Sequence, residues 1–406
     1  MTTHLLTTAT AFFDRMYGHE NPTETDSPLH NAEPATPPNS PVGDLSRIAS
    51  MREVSVDRAL RTDKRTTETK HTIITGQLSG KTFKLVGTLT TEEIQQIFDT
   101  PVDEKQKTIL GEGCFGKVRL ALCEGKWVAV KKIKNIDAAK IEIAQHLLAQ
   151  EKLKDSQYII QLQDYAVTIG KDGKDKAYLF VDFINSGLKA ISAGAGDLAT
   201  LLDSSGNFPK FRLKDRLSDL VRQCTEAVRD FHHAKLSHRD IKAENFLLTA
   251  WGTIKLADYA SVESADNKIL PRNGFTYQQM PSALVKTLPE KAGGAETHWS
   301  GEQLDRFALG VTLLELRNRV QWKSKNILLI HNQQHSLSTE KIQKARDEVI
   351  CQCGLNLDPK TIRGETLDEI IGILLFDQPE GESISSVLKR PYFSESYDKT
   401  SWCTIL

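Results

Sequence analysis

The spacing of apolar side chains changes character as the chain proceeds. Over residues 213–232 they fall at Leu213, Leu217, Leu220, Val221, Cys224, Val228 and Phe231, steps that keep them on one face of an α-helix. Residues 304–316 are apolar at most positions, which predicts a second helix buried on most sides. Earlier, from 107 to about 183, the apolar runs are short and strand-like, as in Trp127-Val128-Ala129-Val130. Alternation around Thr72-Ile73-Ile74 and Thr82-Phe83-Lys84-Leu85-Val86 predicts two more strands on either side of Gly80, and Thr90-Thr91-Glu92-Glu93 spells a capping box for a brief helix. A strand-rich part followed by a helix-rich part predicts an α+β fold of two lobes with a cleft between them.

Residues 1–70 show neither period. Six prolines fall between Asn21 and Pro41 among Ser, Thr, Asn and Glu, a composition that buries too little apolar surface to offset the entropy of ordering, so this arm reads as disordered. Ser27, Thr36 and Ser40 precede proline, and Arg47-Ile48-Ala49-Ser50 places a basic residue before a serine; these suit phosphate acceptance, although a solvated tail carries such short patterns by chance. Residues 71–106 read as a strand and helix extension packed on the strand-rich lobe, 107–393 as the main domain and 394–406 as a flexible tail.

A formal net charge of -1 with 26% charged residues gives no basic excess to steer the chain onto nucleic acid. The six cysteines are irregularly spaced, which fits a reducing cytosol better than a disulfide framework. Cys351-Gln352-Cys353 lacks the second ligand pair of a structural zinc site and reads as two helix-end thiols. No stretch reaches the roughly twenty apolar residues of a membrane-spanning helix, and residues 5–13 are too short and too rich in threonine for a secretory signal.

Candidate chemistry lies in the main domain. Leu110-Gly111-Glu112-Gly113-Cys114-Phe115-Gly116-Lys117-Val118 fits G-x-G-x-x-G-x-V, in which absent side chains let the backbone approach a triphosphate. A dinucleotide-binding turn uses the same glycines but leads from a strand straight into a helix. Here the chain runs on through Arg119-Leu120-Ala121-Leu122 and a Glu124-Gly125 turn into Trp127-Val128-Ala129-Val130-Lys131, which is strand, turn and strand. That order favours a glycine-rich lid over ATP, with Lys131 of a V-A-I-K pattern reaching the α- and β-phosphates. His238-Arg239-Asp240-Ile241-Lys242-Ala243-Glu244-Asn245 and then Asp258 supply two carboxylates, a lysine and an asparagine at the spacing that handles a nucleotide phosphate, its metal ions and an acceptor hydroxyl. Gly76-Gln77-Leu78-Ser79-Gly80-Lys81-Thr82 mimics a P-loop, but its glycines stand one residue too close.

On these motifs residues 107–393 resemble the eukaryotic-type protein kinase family, and Lys242 resembles its serine/threonine branch. The resemblance implies a bilobal fold, a small strand-rich lobe on a larger helical one, that moves the γ-phosphoryl group of ATP to a protein hydroxyl with Mg2+. It implies that Asp240 orients or deprotonates the acceptor, that Lys242 neutralises the moving group, and that Asn245 and Asp258 hold the metal ions. Residues 110–118, Lys131, Asp182 and Ile184 would bind the nucleotide, with Val181 at the gate of the adenine pocket, and Asp305 resembles the aspartate that braces the catalytic loop. In many such kinases the residue at Arg239 pairs with a phosphate on the activation segment, which makes Ser261, Ser264, Thr276 and Tyr277 candidate switch sites. The physical sense is independent of the name: a loose phosphoryl transition state needs little covalent help, so catalysis rests on placement and charge compensation.

The family pattern breaks in places. The metal-binding tripeptide reads Asp258-Tyr259-Ala260 rather than D-F-G, and alanine lacks the backbone freedom of glycine, which restricts a flip of this segment. Ala-Pro-Glu appears only as Met280-Pro281-Ser282, and the arginine expected late in the large lobe is replaced near Glu382; losing both halves of a buried ion pair is nearly neutral, where losing one strands a charge. A helix across 137–153 should bring a glutamate to Lys131. Glu142 sits nearer the expected place, while Glu151 shares a face with Ala144, Leu147 and Leu148, whose apolar character marks it as the inward side, so the pairing stays open between the two. These departures keep a rival reading alive, a pseudokinase-like scaffold that binds nucleotide or a partner with little turnover. Finally, Cys403-Thr404-Ile405-Leu406 spells C-a-a-X, whose leucine favours geranylgeranyl. Peripheral attachment to a eukaryotic membrane through a lipidated Cys403 therefore stands beside a plain cytoplasmic location with a chance cysteine.

Overall fold

The computed structural model describes residues 72–86, 109–113, 116–169, 175–185, 196–199, 213–249, 251–265, 279–282, 284, 299–322, 339–358, 360–376 and 381–394. The capping box at Thr90 and the segments 1–70 and 395–406 lie outside them. The small lobe is a seven-stranded sheet of β1 (Thr72–Thr75), β2 (Thr82–Leu85), β3 (Ile109–Gly113), β4 (Gly116–Cys123), β5 (Lys126–Ile133), β6 (Leu162–Ile169) and β7 (Asp175–Asp182), with helix α1 (Ile136–Lys152) between β5 and β6. The order is β1-β2-β4-β5-β7-β6, every pair antiparallel. β3 pairs with residues 116–119 of β4, and β2 takes over the same strand at Ala121 and Leu122. Asn135 caps α1, its side chain accepting from the N–H groups of Asp137 and Ala138 at 3.0 and 3.1 Å.

Alternation along the strands sorts side chains onto two faces. Ala121 and Cys123 of β4, Val128 and Val130 of β5, and Tyr178 and Phe180 of β7 meet Ile74 and Phe83 of the β1–β2 hairpin in one apolar cluster. Phe83 stacks on Phe180 with ring centroids 3.8 Å apart. The hairpin turn folds back onto β6, at the far end of the strand order. Gln77 N–H donates to the Tyr165 carbonyl at 2.8 Å, and the N–H groups of Leu78 and Ser79 donate to the two carboxylate oxygens of buried Asp164 at 2.9 and 3.0 Å. A β-carbon on Gly76 would overlap that carboxylate, so glycine is required for the approach. The stretch that mimics a P-loop is thus a hairpin turn anchored by Asp164.

The large lobe is built on α2 (Leu213–His233), α3 (Gly301–Trp322), α4 (Thr339–Gln352), α5 (Leu367–Leu374), α6 (Ile384–Val387) and α7 (Pro391–Ser394). Between α2 and α3 run the short strands β8 (Leu236–Ser237), β9 (Phe246–Leu248), β10 (Ile254–Leu256) and β11 (Glu263–Ser264), β9 pairing with β10 and β8 with β11. Leu220, Val221, Cys224, Val228 and Phe231, the stripe expected on α2, are fully buried against α3 and α6 in a single core. Each such Leu, Val or Phe contributes about 1.5–3 kcal/mol. Thr366 and Glu369 form a reciprocal capping box on α5. Ala149, Leu153, Tyr158 and Ile159 from the small lobe enter the same core, and Leu256 N–H donates to the Tyr158 carbonyl at 2.7 Å, so packing and main chain both join the lobes.

Candidate active site

Val130 on β5 belongs to the outer cluster, so its neighbour Lys131 points the opposite way. Its Nζ donates to Glu142 Oε1 at 2.7 Å and to Asp258 Oδ1 at 2.8 Å. Glu142 is therefore the glutamate of the ion pair, and the face carrying Glu151 and Ala144 is the exposed one. The inward side of α1 carries Ala139, Glu142, Ile143, Gln145, His146 and Ala149. Half of those positions are polar, so counting apolar neighbours pointed to the wrong face. Burial opposes the charge on Lys131, but the Asp258 and Glu142 carboxylates outweigh it and hold the ammonium above its ordinary pKa. Burial likewise opposes the Asp258 carboxylate, and the Lys131 ammonium, helped by Lys242, still holds it well below the usual range.

β8 delivers His238-Arg239-Asp240 onto Asp305 of α3. The Asp305 carboxylate accepts from His238 N–H at 2.7 Å and Arg239 N–H at 2.6 Å and faces His232 Nε2 at 3.2 Å, the bracing role expected for it. Arg239 sits at φ 62°, in the left-handed region that an L-residue occupies at a cost of about 1–3 kcal/mol. Lys242 Nζ donates to Asp240 Oδ2 at 2.7 Å, and Asn245 Nδ2 donates to the Asp240 carbonyl at 2.7 Å and to Oδ2 at 3.0 Å. The Asp240 side chain is thereby held in one orientation. Burial opposes the Lys242 charge, and Asp240 more than offsets it, raising the pKa. Ala257 N–H donates to the Asn245 carbonyl at 2.8 Å, which ties this loop to the residue before Asp258.

Asp258 also occupies the left-handed region, at φ 65° and ψ 78°. The next residue anchors it. Tyr259 is fully buried, its ring 4.5 Å from that of His146 and edge-on to Phe231 and His238. Its hydroxyl accepts from Ile160 N–H at 2.9 Å and donates to the Leu256 carbonyl at 3.0 Å. Three residues on, the Val262 carbonyl accepts from Gln145 Nε2 of α1 at 2.9 Å. Among the described residues no group of three or more His, Cys, Asp or Glu side chains could enclose a metal ion. Asp258 and the Asn245 side-chain oxygen are instead the kind of sparse oxygen set that a divalent cation takes together with substrate phosphates, so the residues present fit such an ion.

Elsewhere the expected site residues are more dispersed. Leu110 lies at a register irregularity of β3, Gly111 and Glu112 pair with Val118 and Lys117, and Gly113 with Gly116; Cys114 and Phe115 lie outside the described residues. Asp182 accepts from Gln161 N–H at 3.1 Å and from Gln163 Nε2 at 2.6 Å, and its own N–H donates to the Gln161 carbonyl at 3.1 Å, so both its carboxylate and its N–H are engaged at the start of β6. Ile184 follows, half-buried. Thr276 and Tyr277 lie outside the described residues. Met280-Pro281-Ser282 does have an arginine: buried Arg346 of α4 donates to the Met280 carbonyl and, at 2.6 Å, to Ser282 Oγ. Asp347 accepts from Ser282 Oγ at 2.9 Å, while Glu382 pairs with Arg390. The expected double loss is thus a rebuilt contact, supplied from a helix whose sequence gives no sign of it.

The pattern that defines the protein kinase domain matches residues 104–393. The chain is 26% identical over 297 residues to the serine/threonine-protein kinase stk11 homolog of Dictyostelium discoideum, covering 70% of this chain and 44% of that protein. It is 30% identical over 219 residues to serine/threonine-protein kinase 10 of Danio rerio, covering 51% and 19%, and 24% identical over 299 residues to STK11 of Mus musculus, covering 71% and 60%. The chain thus spans less than two thirds of the length of each of these relatives. Because the match takes in well over half of the 406 residues, including Lys131, Glu142, Asp240, Asn245 and Asp258, the chain belongs to the protein kinase domain family.

Proposed function

We propose that this chain transfers the γ-phosphoryl group of ATP to serine or threonine hydroxyls of protein substrates. The observation that carries the reading is the convergence of three distant parts of the sequence: Lys131 bonded to both Glu142 and Asp258, beside Asp240 held by Lys242 and Asn245. Each contact suits a step in which charge is moved rather than covalent bonds shared with the protein. Lys131, kept charged and aimed by Glu142, binds the α- and β-phosphates under the lid of residues 110–118. Asp240 takes the hydroxyl proton in an orientation fixed by Asn245, and Lys242 at 2.7 Å compensates negative charge beside it. Asp258 and Asn245 would hold Mg2+, which when bound would supply positive charge to offset that of the phosphates. The names of the three relatives, all serine/threonine-protein kinases, support the choice of acceptor.

The test is transfer of radiolabel from ATP to the chain itself and to a generic basic protein. Wild type should label both, and Asp240→Asn and Lys131→Met should each lower the rate by about a hundredfold or more. A wild-type signal no higher than either variant refutes the reading in favour of the scaffold. The prenyl expectation at Cys403 has its own check, since Cys403→Ser should release the protein from membranes of eukaryotic cells.

A further inference from the structure

By its resemblance to many protein kinases, Arg239 is the residue expected to pair with a phosphate on the activation segment. In this chain its guanidinium already faces a carboxylate. Nη1 donates to Glu263 Oε2 at 2.5 Å and Nε to Ser237 Oγ at 3.1 Å, and both side chains of the ion pair are almost wholly buried. The placement is built by the main chain: β11 pairs with β8 in a register that sets Glu263 opposite Ser237, two residues before Arg239. Gly301, at the start of α3, closes the enclosure, because a β-carbon there would overlap Ser237 Oγ and lie 3.0 Å from Arg239 Nε. The peptide N–H of the same arginine is held by Asp305, so a displaced guanidinium pulls on the backbone that bears Asp240.

We infer that Glu263 is a positioning residue that stands in for an activating phosphate: by neutralising Arg239 inside the fold it sets the Asp240 loop in its working geometry without modification of the activation segment. The inference rests on the phosphotransfer reading above. A buried guanidinium without a counter-charge is costly, so a chain lacking one must wait for a phosphate before this loop is secure. Here the counter-charge is part of the strand. The adjacent residue adds a second fastening, because the Val262 carbonyl holds Gln145 on the helix that carries Glu142. One dipeptide, Val262-Glu263, therefore secures both the Lys131 ion pair and the catalytic loop. A phosphate on Ser261 or Ser264, the nearby candidate sites, would bring a second negative group beside Glu263 and meet repulsion rather than an open guanidinium.

The experiment uses the full chain, dephosphorylated with a broad-specificity protein phosphatase. Intact mass is checked before and after an initial-rate assay of phosphoryl transfer to a generic basic protein. The expected result is the same kcat as before treatment. Glu263→Gln, which keeps the shape and removes the charge, should lower kcat by about tenfold to a hundredfold, as misplacement of a catalytic group does, with KM for ATP little changed. Glu263→Asp should restore part of the loss. Wild type that loses its activity on dephosphorylation, or Glu263→Gln that keeps wild-type kcat, overturns the inference. Wild type no more active than Asp240→Asn before and after treatment instead overturns the phosphotransfer reading. The phosphatase arm needs no variant, so a Glu263→Gln chain that fails to fold leaves the decision intact.

Discussion

Restoring the phenylalanine of the family pattern at Tyr259 should weaken this protein. Tyr259→Phe removes one hydroxyl from a site with no solvent access, and that hydroxyl serves Ile160 N–H at 2.9 Å and the Leu256 carbonyl at 3.0 Å. An orphaned buried donor costs about 1–3 kcal/mol. The parallel bridge between Ile159 and Leu256 keeps the Leu256 carbonyl near Ile160 N–H and allows partial re-pairing, which places the expected cost at about 1–2 kcal/mol. That is comparable with the strain of about 1–3 kcal/mol that a non-glycine residue stores in the left-handed region, where Asp258 sits. The hydroxyl is thus large enough to decide whether Asp258 stays where it meets Lys131. In urea, with m about 3 kcal/mol/M, the midpoint should fall by about 0.3–0.7 M at unchanged m. A midpoint equal to or above that of wild type refutes the reasoning, because the hydroxyl would then contribute nothing net.

Glu142→Gln should lower kcat for phosphoryl transfer by about tenfold to a hundredfold by releasing Lys131, whereas Glu151→Gln on the exposed face should leave it unchanged; equal effects in a rate assay would refute the assignment. Burial, with the Lys131 ammonium, pushes the His146 imidazole down to about 3 from 6.5. The unfolded chain therefore takes up the proton first, so this contribution to stability is whole above about pH 6.5 and is lost as pH falls, by about 2 kcal/mol at pH 5. His146→Phe should flatten the fall of the urea midpoint between pH 7 and 5, and parallel slopes would count against it. Gly76→Ala should destabilise by about 1–3 kcal/mol through overlap with Asp164, while Leu78→Ala in the same exposed turn stays within about 0.5 kcal/mol; thermal melts separate the two.

The parts of this molecule that could be read from its sequence are those in which one chemical type at a fixed interval is required. Asp240, Lys242, Asn245 and Asp258 form such a set, and the α2 stripe from Leu217 to Phe231 obeys a helical interval that core packing imposes. The contacts that remained illegible are polar groups turned inward. Glu142, Gln145 and His146 make the buried side of α1 look like its solvent side, which is why Glu151 competed with Glu142. Glu263, Arg346 and Asp164 find their partners 24, 64 and 85 residues away, across pairings that no local pattern announces. A carboxylate two residues after a serine with an invitation to be phosphorylated reads as an ordinary surface charge until the β8–β11 register is known. Tyr259 looked like a lapse from the family pattern. Its hydroxyl turns out to be wired at both ends.

The β1–β2 hairpin moves the boundary of the folded unit. The family pattern begins at residue 104, yet among the described residues strands run from Thr72 and supply Ile74 and Phe83 to the cluster behind β4, β5 and β7. A fragment cut at the conventional border would therefore lay bare Phe180, Val128 and Val130 together and leave the β4 edge at Ala121 and Leu122 open to foreign strands, the conditions under which recombinant domains precipitate. With the hairpin in place the same surface is sealed by the chain's own strands, which closes it to any other protein.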